Sequence, residues 1–224
     1  MPKVFRLLCA GPDISADAFD REWRGSYCEA VALTPGLRGY VQLPATPKAS
    51  PFGVTSPITA IDELWFADLD AAVDAISDAR QGMGLGSSDP ALLGQGSSRW
   101  LVAEENVVLD GPGTGQSKML FLFHHRPDQT LQDGQEYWRT QHAELVPRSP
   151  GLARYVQSHV LPGNGADEVD GFDGVAELWF ADYGQAEVFS ASREFRIEQG
   201  EDIPKFCDVS RLQGFLAETP RVVV

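Results

Sequence analysis

The chain has 224 residues, 43% of them hydrophobic, and carries 32 acidic against 18 basic side chains for a formal charge of −14. That is enough apolar material for one good core or two joined ones, while the acidic excess argues against nucleic-acid backbones and anionic membrane surfaces, which both reward clustered Lys and Arg. No apolar run approaches the length of a membrane span, and the start MPKVFRLLCAGPD meets Pro12 and Asp13 too early to be a signal peptide. A soluble cytoplasmic protein is expected, its widely spaced Cys9, Cys28 and Cys207 reduced and buried.

In chain order, the first helix is expected from Ser15, a candidate cap, with Phe19, Trp23, Tyr27 and Val31 at four-residue steps until Pro35 and Gly36 stop it. Asp17 places negative charge in its first turn. The run DELWFAD (62–68) reads as a buried strand. GMGLGSSD (82–89) echoes a phosphate loop but leads into Pro90 instead of opening a helix after a strand, so a flexible loop is expected. GPGTGQS (111–117) is a Gly-rich joint. KMLFLFHHR (118–126) has the short, apolar and aromatic character of a strand covered on both faces. Thr130 with Asp133 gives a capping-box-like helix start; Tyr137, Trp138, His142, Leu145 and Val146 then share one helical face before Pro147 and Pro150. A strand at 152–160, a Gly- and Asp-rich loop, a strand at 175–180, a helix over about 183–199 and a strand over about 215–223 complete the order β-α-β-β-α-β, the ferredoxin-like split unit.

The sequence also repeats itself. DELWFAD returns as AELWFAD at 176–182, and PGLRGYVQ (35–42) returns as PGLARYVQ (150–157). A shift of 115 pairs Lys3 with Lys118, Ser15 with Thr130 and Trp23 with Trp138; beyond 157 the shift becomes 114. Two copies are too few for a solenoid, and each is near the size of a small domain. The expected organisation is residues 1–110 as a first repeat, 111–117 as a linker and 118–224 as a second repeat. A sheet with both helices on one face leaves its other face apolar and bare. The expected fold is therefore α+β, two ferredoxin-like repeats packed sheet to sheet as an intramolecular pseudo-dimer, with further homodimerisation open.

WRTQHAELVPRSPGLARYVQSH followed by FDGVAELWFAD resembles the EthD family of the dimeric α/β barrel superfamily. The pattern falls on Trp138, His142, Pro150, Gly151, Leu152, Tyr155, Gln157 and the run from Asp173 to Phe180. Both repeats are covered. The first departs from the pattern with Tyr27 at the His142 position, Pro44 at the His159 position and Thr59-Ala60 in place of Asp173-Gly174, which makes its site degenerate. The resemblance implies a small-molecule role, since related proteins include polyketide cyclases, fungal dehydratases, cofactor-free monooxygenases and, further away, haem-dependent enzymes.

His142 is the leading candidate for a general acid or base, because an imidazole on the face toward the sheet titrates near neutrality; the structural alternative is a histidine bonded to a backbone carbonyl. Glu177 lies inside an apolar strand, where it orients His142 or acts as an acid of raised pKa, the structural alternative being a pair with Arg154 or Arg139. Asp173 is a second candidate to orient it, although Asp-Gly before a strand is first a turn signal. Tyr27 is a packing residue or a donor to substrate. Trp138, Tyr155, Gln157, His159, Trp179 and His124 complete the candidate ligand-binding set. His124 and His125 are adjacent on a strand end and point to opposite faces, so no metal site is expected, and no HxH or HExxH spacing occurs. Haem is a minority reading, with His142 or His159 as its axial ligand. No nucleophile elbow is present and the cysteines have no base near them in sequence. The reading is a cofactor-independent lyase, dehydratase or cyclase acting on a small, largely apolar, aromatic or polyketide-like molecule. The alternatives are a non-catalytic binding protein and a haem-dependent or cofactor-free monooxygenase.

Overall fold

A computed structural model of the chain describes residues 1–86, 89–112, 117–163 and 171–224. Parts of three sequence expectations, the loop at 82–89, the joint at 111–117 and the Gly- and Asp-rich loop after Val160, lie outside the described residues. The elements are β1 (Lys3–Cys9), α1 (Ala16–Arg24), α2 (Ser26–Ala32), β2 (Leu37–Pro44), β3 (Ala60–Phe66), α3 (Leu69–Arg80), α4 (Asp89–Leu93), β4 (Ser97–Leu109), β5 (Ser117–Phe123), α5 (Leu131–Thr140), β6 (Leu152–Val160), β7 (Gly174–Phe180), α6 (Tyr183–Ala191), α7 (Gly200–Asp202), β8 (Gln213–Glu218) and β9 (Arg221–Val222). None of the described helices is long and apolar enough to cross a membrane.

The chain forms two compact units, and the division does not follow sequence order. The first is Met1–Pro44, Pro57–Val102 and Arg221–Val224; the second is Ala45–Ser56 and Ala103–Pro220. The first unit has strand order β9-β2-β3-β1-β4 and the second β4-β6-β7-β5-β8, with β4 belonging in part to each. Within the second unit β5 pairs antiparallel with β7 and β8, and β7 with β6. Ala45–Ser56, which a boundary near residue 110 assigns to the first repeat, is tied to the second unit by an Ala45↔Ala217 bridge, a Thr46 Oγ1 to Glu218 bond of 2.8 Å and a Lys48–Glu218 ion pair of 2.7 Å.

Side-chain caps start the helices where the sequence places Ser, Thr or Asp. Ser15 accepts from the Ala18 N–H, Thr130 from Asp133, Asp68 from Ala71 and Asp182 from Gln185. Three helices expected to be continuous are broken. The first stops at Gly25, whose backbone (φ −98, ψ −118) is not helical, so Trp23 lies on α1 and Tyr27 on α2. In the second unit α5 ends at Thr140, and His142 sits on a following 3₁₀ turn, His142–Glu144. Thr140 Oγ1 bonds back to the Glu136 carbonyl, and Pro147 forbids an α-helix through this point, since its ring collides with the carbonyl four residues earlier. The long final helix likewise stops at Ala191. Ser192 turns extended (φ −66, ψ 154) and caps Phe195 N, and Glu194–Gln199 continues as a π-helix.

Strand alternation sorts the second unit into two faces. Phe121 and Phe123 of β5, Tyr155 of β6 and Ala176 and Leu178 of β7 look toward the helices. Lys118, Ser158, Glu177 and Trp179 alternate with these and form a separate buried group.

Candidate functional site

The second unit holds a cavity of about 100 Å³ between its sheet and its helices. Its walls are mostly apolar: Phe121, Phe123, Ala176 and Leu178 from strands, Val146, Phe195, Ile203 and Phe206 from helices and turns, and Phe52 and Val54 from Ala45–Ser56. Phe52 packs against Phe121, Phe195 and Phe189 at ring-centroid distances of 5.2, 5.3 and 5.9 Å. A cavity of this size and character takes about one aromatic ring. The polar groups reaching it are those of His142, Tyr155, Gln199 and Cys207.

His142 is only 5% exposed and lies against Phe206 at 4.9 Å. Its Nδ1 meets Asp202 Oδ2 at 2.8 Å. Asp202, on α7, also accepts from Tyr137 O–H at 2.7 Å and from Lys205 Nζ at 3.0 Å. Burial works to raise the Asp202 carboxyl, but the bonds from His142, Tyr137 and Lys205 outweigh it and hold the group well below the usual carboxylate range. An ionised carboxylate on Nδ1 fixes the tautomer with hydrogen on that nitrogen. Nε2, which has no partner among the described residues, is left as a base. Gln199 closes the π-helix, and its Nε2 donates to Ser149 Oγ at 2.7 Å, which fixes the amide at the cavity wall. Burial, followed by the charge of Asp208, pushes the Cys207 thiol up to about 12, so it is a poor nucleophile.

The sequence candidates separate. His142, Trp138 and Tyr155 meet at the cavity. Gln157 stands behind them, its Nε2 donating to the Trp138 carbonyl at 2.6 Å and to Tyr155 O at 3.3 Å. The carboxylate that orients His142 is Asp202 rather than Glu177 or Asp173. Glu177 alternates away from the cavity and is bonded to Lys118 Nζ at 2.6 Å and Ser158 Oγ at 2.5 Å, while Arg154 pairs with Asp110. Trp179 lies on that same side, 4.1 Å under the Lys118 ammonium. Asp173 accepts from the backbone N–H of His125 at 2.8 Å, and His124 sits 3.8 Å from it against Phe172. His159 packs on the Trp138 ring at 4.5 Å, and both its ring nitrogens are buried with no hydrogen-bond partner among the described residues. Tyr27 belongs to the first unit. Asp202 and Phe52 escaped the sequence reading because Asp202 is 60 residues from its partner and Phe52 lies in a segment with no periodic pattern.

Among the described residues no group of three or more His, Cys, Asp or Glu is placed to hold a metal. Haem does not fit the residues present. A tetrapyrrole is far larger than the cavity, and His159 is packed against Trp138.

At the matching positions the first unit holds a hydrogen-bonded polar group. Asp62 of β3 accepts from Tyr27 O–H at 2.6 Å, Trp23 Nε1 at 2.9 Å and Tyr40 O–H at 3.0 Å. Arg6 of β1 donates to Tyr27 O and to the Leu85 carbonyl, both at 2.8 Å, and lies over the Trp100 ring. Burial raises the Asp62 carboxyl against the pull of these donors and of Arg6, and burial with the Asp62 charge raises the Tyr27 hydroxyl. Tyr27 is thus a member of a filled polar core.

The site region has a match among known families. The EthD domain model matches residues 126–210. That span holds His142, Tyr155, Gln199 and Asp202. No curated protein matches the chain. Among solved structures, an anthrone oxidase-like protein superposes with a TM-score of 0.69 at 12% identity, covering 99% of this chain and 92% of the other. A candidate monooxygenase from Lactobacillus acidophilus gives 0.53 at 10% identity, covering 100% and 98%. A candidate chlorite dismutase gives 0.52 at 13%, covering 99% and 95%. At such identities these likenesses show the fold alone.

Proposed function

We propose that the second unit is a cofactor-independent acid–base enzyme of the lyase, dehydratase or cyclase kind, acting on a small, largely apolar molecule about the size of one aromatic ring. The observation that carries it is the His142–Asp202 pair, 2.8 Å apart, with His142 at the wall of a mostly apolar cavity. Elimination and aldol-type closure both begin with removal of a proton beside a carbonyl, which Nε2 of a carboxylate-oriented imidazole can take up without a metal. Asp202 stabilises the imidazolium that forms. The match of the EthD model to this stretch supports a role in small-molecule chemistry. A cofactor-free oxygenase is the second reading, favoured by the whole-chain likeness to proteins described as an anthrone oxidase-like protein and a monooxygenase; it would begin with the same proton removal and is distinguished by oxygen uptake. The pairing of the two repeats as an intramolecular pseudo-dimer, expected from the self-similarity, is proposed with it. An experimental structure with the two sheets apart would overturn that part.

The test is solvent deuterium incorporation at carbon beside the carbonyl of single-ring ketones, acetophenone and phenylacetone, followed by NMR. The parent protein should accelerate exchange in at least one of them. His142→Gln keeps the side chain's size but cannot exchange a proton near neutral pH, and should lower the rate by about a hundredfold or more with folding retained. No exchange above background, or an unchanged rate in folded His142→Gln, would return the protein to the class of binding modules or remove His142 from the mechanism.

A further inference from the structure

The two units build the same framework around one ladder position and fill that position differently. In the first unit Asp62 of β3 is paired across to Arg6 of β1 and Gln42 of β2. In the second unit Ala176 of β7 is paired to Phe121 of β5 and Gln157 of β6. The surroundings agree bond for bond. Gln42 Nε2 donates to the Trp23 carbonyl and to Tyr40 O, both at 2.8 Å, and Gln157 Nε2 donates to the Trp138 carbonyl and to Tyr155 O at 2.6 and 3.3 Å.

What differs is the acceptor in the middle. The Asp62 carboxylate collects the Tyr40 hydroxyl and the Trp23 indole N–H. With alanine at 176 no carboxylate is there, and the Trp138 indole N–H goes to the oxygen of Tyr155 at 3.0 Å. Tyr155 therefore accepts two hydrogen bonds, while its own O–H donates to no acceptor among the described residues. The residue is 1% exposed, and it lines the cavity together with Ala176. Leaving a buried donor unmet costs about 1–3 kcal/mol. Burial also pushes the Tyr155 hydroxyl up, against the bonds from Gln157 and Trp138, so it stays a donor throughout the physiological range. The replacement of Arg6 and Asp62 by Phe121 and Ala176 thus removes two charged side chains and leaves the donors that surrounded one of them.

We propose that the cavity takes a ring-sized ligand bearing an oxygen acceptor, a carbonyl or the enolate derived from it, seated over Ala176 at the place the Asp62 carboxylate holds in the first unit, where it receives the Tyr155 O–H. This rests on the reading of the cavity as a ligand site and deepens it. The ligand's oxygen, not its ring, sets the orientation, and Tyr155 is the positioning donor. Proton removal by His142 would enrich negative charge on that oxygen, so the same hydrogen bond strengthens as the reaction proceeds.

Acetophenone and α-methylstyrene test this, because they share a shape and differ in the presence of an oxygen acceptor. Neither requires His142 as an acceptor. Binding of both is measured by calorimetry to the full-length parent and to Tyr155→Phe, with melting temperature as the folding control. Tyr155→Phe should weaken acetophenone about tenfold and leave α-methylstyrene within about twofold. Independently of any variant, the carbonyl stretch of acetophenone bound to the parent should lie below its position in hexane. An unshifted stretch, or equal effects of Tyr155→Phe on both probes, would overturn the anchor while leaving the cavity as a ligand site. Failure of both probes to bind the parent would overturn the anchor and the ligand-site reading together.

Discussion

His159→Phe separates a packing role for this histidine from a binding one. His159 is 2% exposed, lies 4.5 Å from the Trp138 ring and leaves both ring nitrogens buried with no hydrogen-bond partner among the described residues. Burial, then the charges of Arg139 and His125, lowers its pKa from 6.5 to about 3. The unfolded chain therefore binds a proton that the folded protein refuses, and stability is lost as pH falls from 6.5 toward 3. At about pH 5 the unfolded state gains about 2 kcal/mol from this one group relative to neutral pH. Phenylalanine keeps a ring against Trp138 and has nothing to protonate. Urea unfolding of parent and variant at about pH 7 and pH 5 should show the parent losing about 2 kcal/mol more than the variant between the two. At pH 7 the variant should be no less stable, since two unmet buried nitrogens are removed. Equal acid losses in the two proteins, or a variant that unfolds at neutral pH, would refute the argument. A change in ligand affinity with unchanged acid sensitivity would return His159 to the binding set.

Asp202→Asn keeps the side-chain shape but removes the charge facing His142 Nδ1 at 2.8 Å. A charge-assisted bond of this kind is worth about 2 kcal/mol, so the deuterium-exchange rate should fall about 30-fold, read as kcat beside an unchanged far-ultraviolet spectrum. Because the folded-state carboxyl is held below its unfolded value, its contribution to stability is present above about pH 4 and lost as pH falls; the variant should lack that share of the acid loss. Gly134→Ala, on α5, should destabilise although alanine is the better helix former by about 1 kcal/mol. A Cβ there would meet His125 Cγ and Nδ1 at 2.5 Å, and the net loss in melting experiments should be about 1–2 kcal/mol. A melting temperature at or above the parent's would show that the His125 ring gives way.

Local chemistry was legible in the chain alone. Ser15 and Thr130 cap their helices because a hydroxyl beside a run of amphipathic spacing has a free N–H three residues on. The strand at 152–160 is bounded by its prolines, glycines and period, and the repeat offset alone matches Trp23 with Trp138 and Tyr40 with Tyr155. Pattern also put Trp138 and His142 on a common face, although Pro147 converts the second turn to 3₁₀ geometry. Tertiary structure decided the chemistry. Period-two alternation says that Glu177 and Ala176 point opposite ways, but not which of them meets the helices; that depends on where α5 packs, and it sends Glu177 to Lys118 and leaves Ala176 at the cavity. Likewise the charge that orients His142 comes from Asp202, and part of the cavity wall from Phe52, residues with no local signal. Hydrogen-bond partners far apart in sequence are selected by the packing of whole elements, and that information is not carried by any short stretch of chain.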